Sequence, residues 1–426
     1  MPRVRIIKKL DSPVTFGVIG AFVAITVSLL RGVESLNFPD AIHFLEQATA
    51  INNGWQFMVA NPLQLKFPFG LPALVASTFL ISNGTSLFLI KILLAVGHGF
   101  STYLVAQIGI RMELKNWLWM GAALIFCVDP FVISAATALQ SESITTLFVL
   151  WWALLYISPP SPKHKFLIEN ILFPISGFLA ILVRPNILIP FLGIFTLMIL
   201  RSLQNEHLKT RIISSVGLFL LLLGSFQIFL IKLYKGFVLL APNGGINSVL
   251  TCRSEFLSQY LGFASVSENT FINRWYFQYL DSLTTNILAK QPDISIPNLN
   301  RDLYSVGIDT CVSHPIQSAF LLVIKTFALW RPSTVFGAYG SEVFAISLLI
   351  WIPLTLLVIW FLLHRTVVEI PSKMKSYFIV LAIGFSVSLL PSATQIRHRV
   401  SFAEPFYWIF AAYFINVIIT KKSISK

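Results

Sequence analysis

The sequence predicts an all-α polytopic membrane protein with about ten transmembrane helices. Hydrophobic residues make up 56% of its 426 positions and charged residues only 12%, whereas a soluble domain carries about twice that charged fraction. The apolar runs recur from end to end of the chain, and they are continuous rather than alternating. Because lipid offers no partner to a backbone N–H or C=O, a spanning segment is a helix or part of a closed barrel, and continuous runs indicate helices.

The predicted spans follow from run length, since a crossing helix needs about 20 apolar residues and fewer where its ends are amphipathic. They cover residues 14–30, 87–110, 117–132, 143–157, 167–183, 186–200, 212–231, 343–363, 377–390 and 402–419. Two further apolar segments, 70–81 and 315–330, are predicted to lie on the outer membrane surface or to dip into it. The first span is interpreted as a retained helix, because residues 29–33 form a poor signal-peptide cleavage site.

The net charge of +13 indicates membrane topology rather than a nucleic-acid partner. More than half of the 31 Lys and Arg residues lie in short stretches at helix ends, and the chain begins with one that contains Arg3 and Lys9. This is the positive-inside pattern, and it places both termini in the cytoplasm. We expect a multi-pass protein of the bacterial inner (plasma) membrane that works in the cell envelope.

Three regions are expected along the chain. Residues 1–231 form an N-terminal transmembrane module whose first exoplasmic loop, about 34–86, carries amphipathic juxtamembrane helices. Residues 232–341 form a larger exoplasmic loop of mixed character, and 342–426 hold the C-terminal transmembrane helices. Cys252 and Cys311 both fall in the larger loop, where a disulfide and two free thiols are both compatible with the sequence.

Isolated charged residues are the candidates for chemistry. The chain has no zinc-ligand spacing, no glycine-rich phosphate loop and no Gly-x-Ser-x-Gly elbow. What remains is a set of polar residues that the topology places on the outer side of the membrane: Asp40, His43, Lys66, Glu142, Arg184, Arg397 and Arg399.

Asp40 has two explanations. Asn37 could cap a helix with Pro39 in its first turn, where the Asp40 carboxylate would complement the helix dipole. A carboxylate one turn from His43 at a membrane surface also suits acid–base chemistry. The helix is expected to lie on the surface with His43, Glu46 and Gln47 away from an apolar stripe. That stripe consists of Ala41, Ile42, Leu45, Ala48 and Ile51.

The other candidates have structural alternatives too. Lys66 either reaches an anionic headgroup or simply snorkels to the lipid surface. Glu142 either sits in the first turn of the fourth span or offers a carboxylate to a metal or an acceptor hydroxyl. Arg184, Arg397 and Arg399 lie outside against the positive-inside trend. Their guanidinium forks match phosphate oxygens, so a substrate phosphate, a lipid phosphate and an internal carboxylate are all candidate partners.

Four segments together resemble the polytopic GT-C glycosyltransferases, in the protein-mannosyltransferase-like and aminoarabinose-transferase-like branch. Residues 39–54 resemble the first exoplasmic loop of that family, and 66–72 resemble its Lys-Pro-Pro or Pro-Pro-Gly-x-Pro element. Residues 129–142 resemble the loop that ends in an acidic residue before the fourth helix. Residues 397–405 are similar to the late Arg-x-Arg pattern followed by proline. The chain departs from the family at Ala41, where the mannosyltransferases have Glu, and at Phe67, which replaces a proline.

The resemblance implies a sugar donor on polyprenyl phosphate or diphosphate, inverting transfer, and a glycan, lipid or protein acceptor. Asp40 would be the general base, and Lys66 with Arg397 and Arg399 would hold the donor phosphate. His43 and Arg184 belong to the same expected substrate site. Glu142 would position the acceptor or bind a divalent metal, which is the one cofactor considered.

Two other classes of function stay open. A transporter or flippase of a lipid-linked sugar would place ionisable residues near the bilayer midplane in broken helices, whereas the predicted helix interiors here are nearly free of charge. A non-catalytic membrane assembly factor would not explain why Arg397 and Arg399 lie on the outer side of the membrane.

Overall fold

The structure is a computed structural model that describes residues 12–35, 39–54, 68–82, 84, 86–158, 162–202, 206–240, 244–331, 336–364, 369–390 and 397–424. Every regular element within these ranges is helical. The all-α class expected from the sequence is therefore confirmed for this part of the chain. The loop after residue 231, expected to be of mixed character, is also built from helices where it is described.

The N-terminal half contains eleven α-helices among the described residues. They are α1 (Pro13–Leu30), α2 (Pro39–Asn52), α3 (Gly70–Ser82), α4 (Phe88–Arg111), α5 (Asn116–Val128), α6 (Pro130–Thr137), α7 (Ser141–Ile157), α8 (Pro162–Leu167), α9 (Phe173–Val183), α10 (Leu188–Ser202) and α11 (Glu206–Tyr234). A π-helical turn, Ile168–Leu172, joins α8 to α9. Pro174 lacks the N–H that would bond to the Asn170 carbonyl, which accounts for the widened turn.

The remaining described helices fall into two groups. The loop unit, which we define as residues 244–331, holds α12 (Gly244–Val249), α13 (Leu257–Leu261), α14 (Val266–Lys290), α15 (Ile296–Ser313) and α16 (Pro315–Trp330). The C-terminal group holds α17 (Phe336–Leu363), α18 (Glu369–Leu389), α19 (Arg397–Val400) and α20 (Glu404–Ile424).

Length and composition support a multi-pass membrane protein. Among the described residues, five helices are long and apolar enough to cross a bilayer, or up to seven if each of two bent helix pairs is one span. Four other predicted spans correspond to apolar helices of 10–17 residues. These are shorter than a membrane-crossing helix usually is, so the predicted count of about ten is not established by helix length.

One predicted span is broken. Residues 117–132 were expected to form a single helix, but α5 ends at Val128 and α6 begins at Pro130, with a bend of 52° between them. Proline disfavours a helical conformation in the residue before it, and Asp129 accordingly has φ −55° and ψ 120°. The break brings the polar Asp129 into the bundle.

Close contact between α1 and α4 organises the N-terminal module. A Cβ atom placed on Gly99 would lie 2.5 Å from the Gly17 carbonyl oxygen and 2.8 Å from the Ala21 side chain. The two backbones approach this closely because Gly17, Ala21 and Gly99 are small, as at many helix interfaces in membranes. The main hydrophobic core continues from α4 through α5, α7 and α9 to α18 and α20.

At one end of the bundle, the segment after α1 contacts the start of α4 and the end of α6. The Lys91 ammonium of α4 donates hydrogen bonds to the carbonyls of Gly32 and Ser35, at 3.4 and 3.0 Å. Arg31, after α1, donates to the Thr137 hydroxyl at the end of α6, at 2.9 Å. We call this end, marked by residues 31–35, 91 and 137, the loop end.

A disulfide closes the loop unit. Cys252 and Cys311 are bonded, with their Cα atoms 5.2 Å apart and a separation of 59 positions in sequence. The bridge ties the segment after α12 to α15, which resolves the alternative left open by the sequence in favour of the disulfide. Helices α15 and α16 then meet at a bend of 107°.

Candidate functional site

Helix α2 carries Asp40 to the loop end. Asp40 is the second residue of α2, as the proline at position 39 predicts, and its side chain lies outside the described atoms. The buried side chains of Ala41, Phe44 and Ala48 pack against α3 and, with Leu139 and Ile144, form one hydrophobic cluster. Because Leu139 and Ile144 flank Glu142 in sequence, α2 lies beside the start of α7.

The buried face of α2 differs from the predicted stripe. Ala41 and Ala48 are buried as expected, but Ile42 is 49% exposed and Gln47 is buried. The true face runs through Ala41, Phe44 and Ala48, at the spacing of one side of a helix. The sequence pattern misplaced it because α2 packs against protein rather than lying on an open membrane surface.

His43 lies on the more exposed side of α2. Its Nδ1 atom is 3.2 Å from Oε2 of Glu46, one turn further along the helix. This contact gives His43 a local partner on the surface of α2. Lys66, expected to hold the donor phosphate, lies outside the described residues.

The start of α3 presses against the residues that precede Arg184. A Cβ atom on Gly70 would lie 2.5 Å from the Val183 nitrogen and 2.6 Å from the Leu182 carbonyl carbon. Only glycine permits two backbones to approach so closely. The chain that follows Lys66 is thereby fixed next to Arg184.

Glu142 and Arg184 form a buried ion pair. Arg184 Nη1 lies 3.4 Å from Glu142 Oε1, and the two side chains are only 8% and 5% exposed. The same nitrogen donates a hydrogen bond to the Ser401 hydroxyl at 3.3 Å. Of the partners that the sequence left open for Arg184, the structure therefore shows an internal carboxylate, and the contact links α7 and α9 to the segment that holds Arg399.

Arg399 is enclosed in a second ion pair. Its Nε donates to Glu404 Oε1 at 2.8 Å, and neither side chain is more than 1% exposed. Nη1 donates to the Arg331 carbonyl at 2.7 Å, and the guanidinium lies 4.3 Å from the centre of the Trp351 ring. Arg397 begins α19, but its side chain is not among the described atoms.

The electrostatic surroundings keep Arg399 charged. Burial alone lowers the pKa of its guanidinium, but the neighbouring Glu404, Tyr407 and Asp129 outweigh burial and raise that pKa above its usual value. Glu404 is the main group that stabilises the positive charge of Arg399, since a buried charge requires a close partner of opposite sign.

Asp129 joins the broken helix to the last helix. Its Oδ1 accepts the N–H groups of Phe131 and Val132, at 2.9 and 3.2 Å, and so caps α6. Its Oδ2 accepts from the Trp408 indole N–H at 3.1 Å. Asp129 and Glu404 were not among the predicted site residues, although an Asp directly before a proline is a helix-start signal.

Two cations, one within α16 and one directly after it, form hydrogen bonds around the segment that holds Arg399. Lys325 is fully buried and donates to the Leu390 carbonyl at 2.6 Å and to the Thr251 carbonyl at 3.3 Å. Arg331, directly after α16, donates to the carbonyls of Gln259 and Tyr260. Leu390 directly precedes the segment 391–396, and Arg399 lies three residues after it. Because Lys325 bonds to Leu390 and Arg399 bonds to the Arg331 carbonyl, the loop unit is bonded on both sides of that segment.

The described residues include no group of three or more His, Cys, Asp or Glu side chains placed to hold a metal ion. The Glu142 carboxylate contacts Arg184 through Oε1 and accepts a hydrogen bond from the Ser141 hydroxyl through Oε2, at 3.3 Å. A divalent metal at Glu142 stays a prediction.

These contacts bring four segments together at the loop end: α2 with Asp40, the start of α3, the Glu142–Arg184 pair, and the Arg399 region. Searches against protein family models and against curated protein sequences find no match to this chain.

Proposed function

We propose that this protein is a multi-pass membrane glycosyltransferase of the GT-C type. It moves a sugar from a polyprenyl-phosphate or polyprenyl-diphosphate donor to an acceptor hydroxyl on the exoplasmic face. Ten crossings, cytoplasmic termini and a bacterial inner membrane location belong to the same proposal. The acceptor is a glycan, a lipid or a protein.

The convergence of separate segments at the loop end carries the proposal. Ala41, next to Asp40, belongs to the same cluster as Leu139 and Ile144 around Glu142. Gly70, four residues after Lys66, abuts Val183 before Arg184. Arg184 in turn contacts Ser401, two residues after Arg399. Segments that carry candidate charged residues, from α2 to α19, thus meet at the loop end, and this convergence supports transfer at a membrane surface.

The proposed reaction uses a base on one side and cations on the other. Asp40 takes the proton of the acceptor hydroxyl as its oxygen bonds to the anomeric carbon. The bond from that carbon to the donor phosphate oxygen breaks on the opposite face, so the configuration inverts. The electron pair leaves with the phosphate, and Lys66 and Arg397 stabilise the charge.

The two buried ion pairs support this arrangement rather than meeting substrate directly. Glu142 and Arg184 hold α7 to α9, while Glu404 holds Arg399 beside Arg331. Arg399 was expected to share phosphate binding with Arg397. Since its Nε and Nη1 already bond within the protein, we assign the larger part of that binding to Arg397 and Lys66.

A flippase for a lipid-linked sugar is the second candidate. The break between α5 and α6, with Asp129 buried at the bend, resembles the discontinuous helices that line transport sites. The two candidates differ in product, because a flippase moves its lipid without changing the lipid's mass.

Mass spectrometry of lipid extracts tests the transferase proposal and identifies the donor. Cells that lack the protein should accumulate one polyprenyl-linked sugar, and the wild-type gene should remove it. Asp40→Asn should fail to remove it, whereas Glu46→Gln, an exposed carboxylate on the same helix, should succeed. Clearance of the donor by Asp40→Asn at the wild-type rate would contradict the role of Asp40 as base.

A further inference from the structure

Helix α16 buries its charged residue and exposes its large apolar residues, whereas a helix on the surface of a soluble protein does the opposite. Lys325, its one charged residue, is fully buried on the inner face. Large apolar side chains occupy the outer face: Ile316 is 86% exposed, Phe320 55%, Val323 67% and Phe327 50%. Their spacing of three or four residues makes a continuous stripe along one side of the helix. Such a stripe indicates an apolar environment outside the protein.

The depth of α16 is set by its contacts with α18. Helix α18 is one of the candidate membrane spans, and Lys325 bonds to Leu390 just beyond its last residue. Trp330, five residues later, donates its indole N–H to Ser386 at 3.1 Å, and its ring lies 6.3 Å from the ring of Phe378. Ser386 lies about 6 Å and Phe378 about 18 Å along the axis of α18 from Leu390. The C-terminal half of α16 therefore descends beside the span.

The outward stripe of α16 continues a surface that already faces lipid. On α18, Ile379, Ile383 and Val387 are exposed at helical spacing over the stretch that Trp330 contacts. Helix α18 is a candidate span by its length and apolar composition, and a spanning helix that exposes such a stripe faces acyl chains. The same medium therefore reaches Phe327 and Val323 of the neighbouring helix.

We propose that α16 is a re-entrant membrane helix whose Ile316–Phe320–Val323–Phe327 face lies obliquely in the leaflet next to the loop unit and contacts lipid acyl chains. Phe327 lies deepest and Ile316 nearest the headgroups. The helix does not cross the bilayer, because its sixteen residues span only about 24 Å and their lower end is bonded into the bundle at Ser386. On the opposite, inner face of α16, the buried Lys325 fixes the helix to the bundle by donating hydrogen bonds to the Thr251 and Leu390 carbonyls.

This proposal is independent of any transferase activity and is tested on the full-length protein. Single cysteines replace Ile316, Phe320, Val323 and Phe327 in a Cys127→Ala background, so that the Cys252–Cys311 disulfide is kept. Ser282→Cys, at an exposed polar position of α14, is the control. Each thiol is labelled with a fluorophore, and the protein is placed in nanodiscs of phosphatidylcholine and phosphatidylglycerol.

Two quenchers report the environment of each label. Nitroxide on the lipid acyl chains should quench the labels at 320, 323 and 327 severalfold more than the label at 282. Aqueous iodide should do the opposite, and its effect should fall steadily from 316 to 327. If a variant is not monodisperse, Ala319→Cys, exposed on the same helix, takes its place.

Two results would overturn the proposal. Iodide quenching at all four positions equal to that at 282 would place the stripe in water. Shielding of the label at 327 from both quenchers would show that protein, such as a second copy of this chain, covers the face.

Discussion

Arg399 shows how the protein keeps a charge inside an apolar bundle. Its guanidinium contacts the Glu404 carboxylate, the Arg331 carbonyl and the face of Trp351. Each contact satisfies part of a charge that would otherwise lose its hydration at high cost. The pair adds little net stability over an apolar replacement, but the removal of one partner leaves the other buried and unpaired.

Glu404→Ala is therefore expected to destabilise the protein by about 3–5 kcal/mol, because it leaves Arg399 without its counter-charge. The measurement is thermal unfolding of the detergent-purified protein, followed by fluorescence-detected size exclusion. Glu46→Ala is the control, since exposed pairs such as His43–Glu46 contribute only about 0–1 kcal/mol. Equal unfolding temperatures for the two variants would show that Arg399 has another partner.

Gly70 is the residue whose size sets the position of the first loop. Gly70→Ala would push a methyl group into the backbone at Leu182 and Val183, and such overpacking costs about 1–3 kcal/mol. We expect a lower unfolding temperature and weaker donor clearance in cells. The control is Gly97→Ala in α4, where no atom lies within 4 Å of the added Cβ, and it should change neither the unfolding temperature nor the donor clearance. Equal losses in the two variants would contradict the steric explanation.

Among the helices, the break between α5 and α6 is stabilised by three separate contacts. Asp129 caps α6, Trp408 of α20 donates to Asp129, and His98 of α4 lies with its Nε2 3.0 Å from the Cys127 carbonyl. That carbonyl lies in the last turn of α5, where helix carbonyls have no partner within the helix. The bend is thus built into the contacts of neighbouring helices.

Asp129→Ala should cost about 2 kcal/mol, because α6 loses its cap. Asp129→Asn keeps an acceptor oxygen for the cap, so its unfolding temperature should lie between those of wild type and Asp129→Ala. The ranking of the three proteins by thermal unfolding is the test. An Asn variant as unstable as the Ala variant would mean that the charge, rather than the cap, matters.

The accuracy of the sequence reasoning varied between helices. The bounds of α3 and α16 agree closely with the predicted 70–81 and 315–330, because proline and glycine mark their edges. Helices α17 and α18 begin seven or eight residues before the predicted spans. Their first two turns contain polar residues such as Glu342 and Lys373, and hydropathy measures contact with lipid rather than helix length.

At the scale of the whole molecule, the long-range pairs were beyond sequence reasoning. The Asp129–Trp408 bond joins residues 279 positions apart, and Arg184–Ser401 joins residues 217 apart. An isolated arginine looks the same in sequence whether its partner is a substrate phosphate or a distant glutamate. The sequence singled out Glu142 and Arg184 separately, and only the fold shows that they pair.

The disulfide gives a test of the whole loop unit. Denatured protein without reductant should expose one reactive thiol, that of Cys127, and reduced protein should expose all three cysteines. A bridge over 59 residues restricts the unfolded chain by about 4 kcal/mol. The Cys252→Ser, Cys311→Ser double variant should therefore unfold at a lower temperature. Three reactive thiols before reduction would contradict the bridge.

We propose the loop end as a transfer site with Asp40 as its base. The direct measurement is sugar transfer by purified protein in nanodiscs, with the polyprenyl-linked donor identified from the lipid extracts. Asp40→Asn should lower the rate by at least about 10²-fold, the range for loss of a positioned base, while Glu46→Gln keeps the wild-type rate. An Asp40→Asn protein that transfers sugar as fast as wild type would contradict the account.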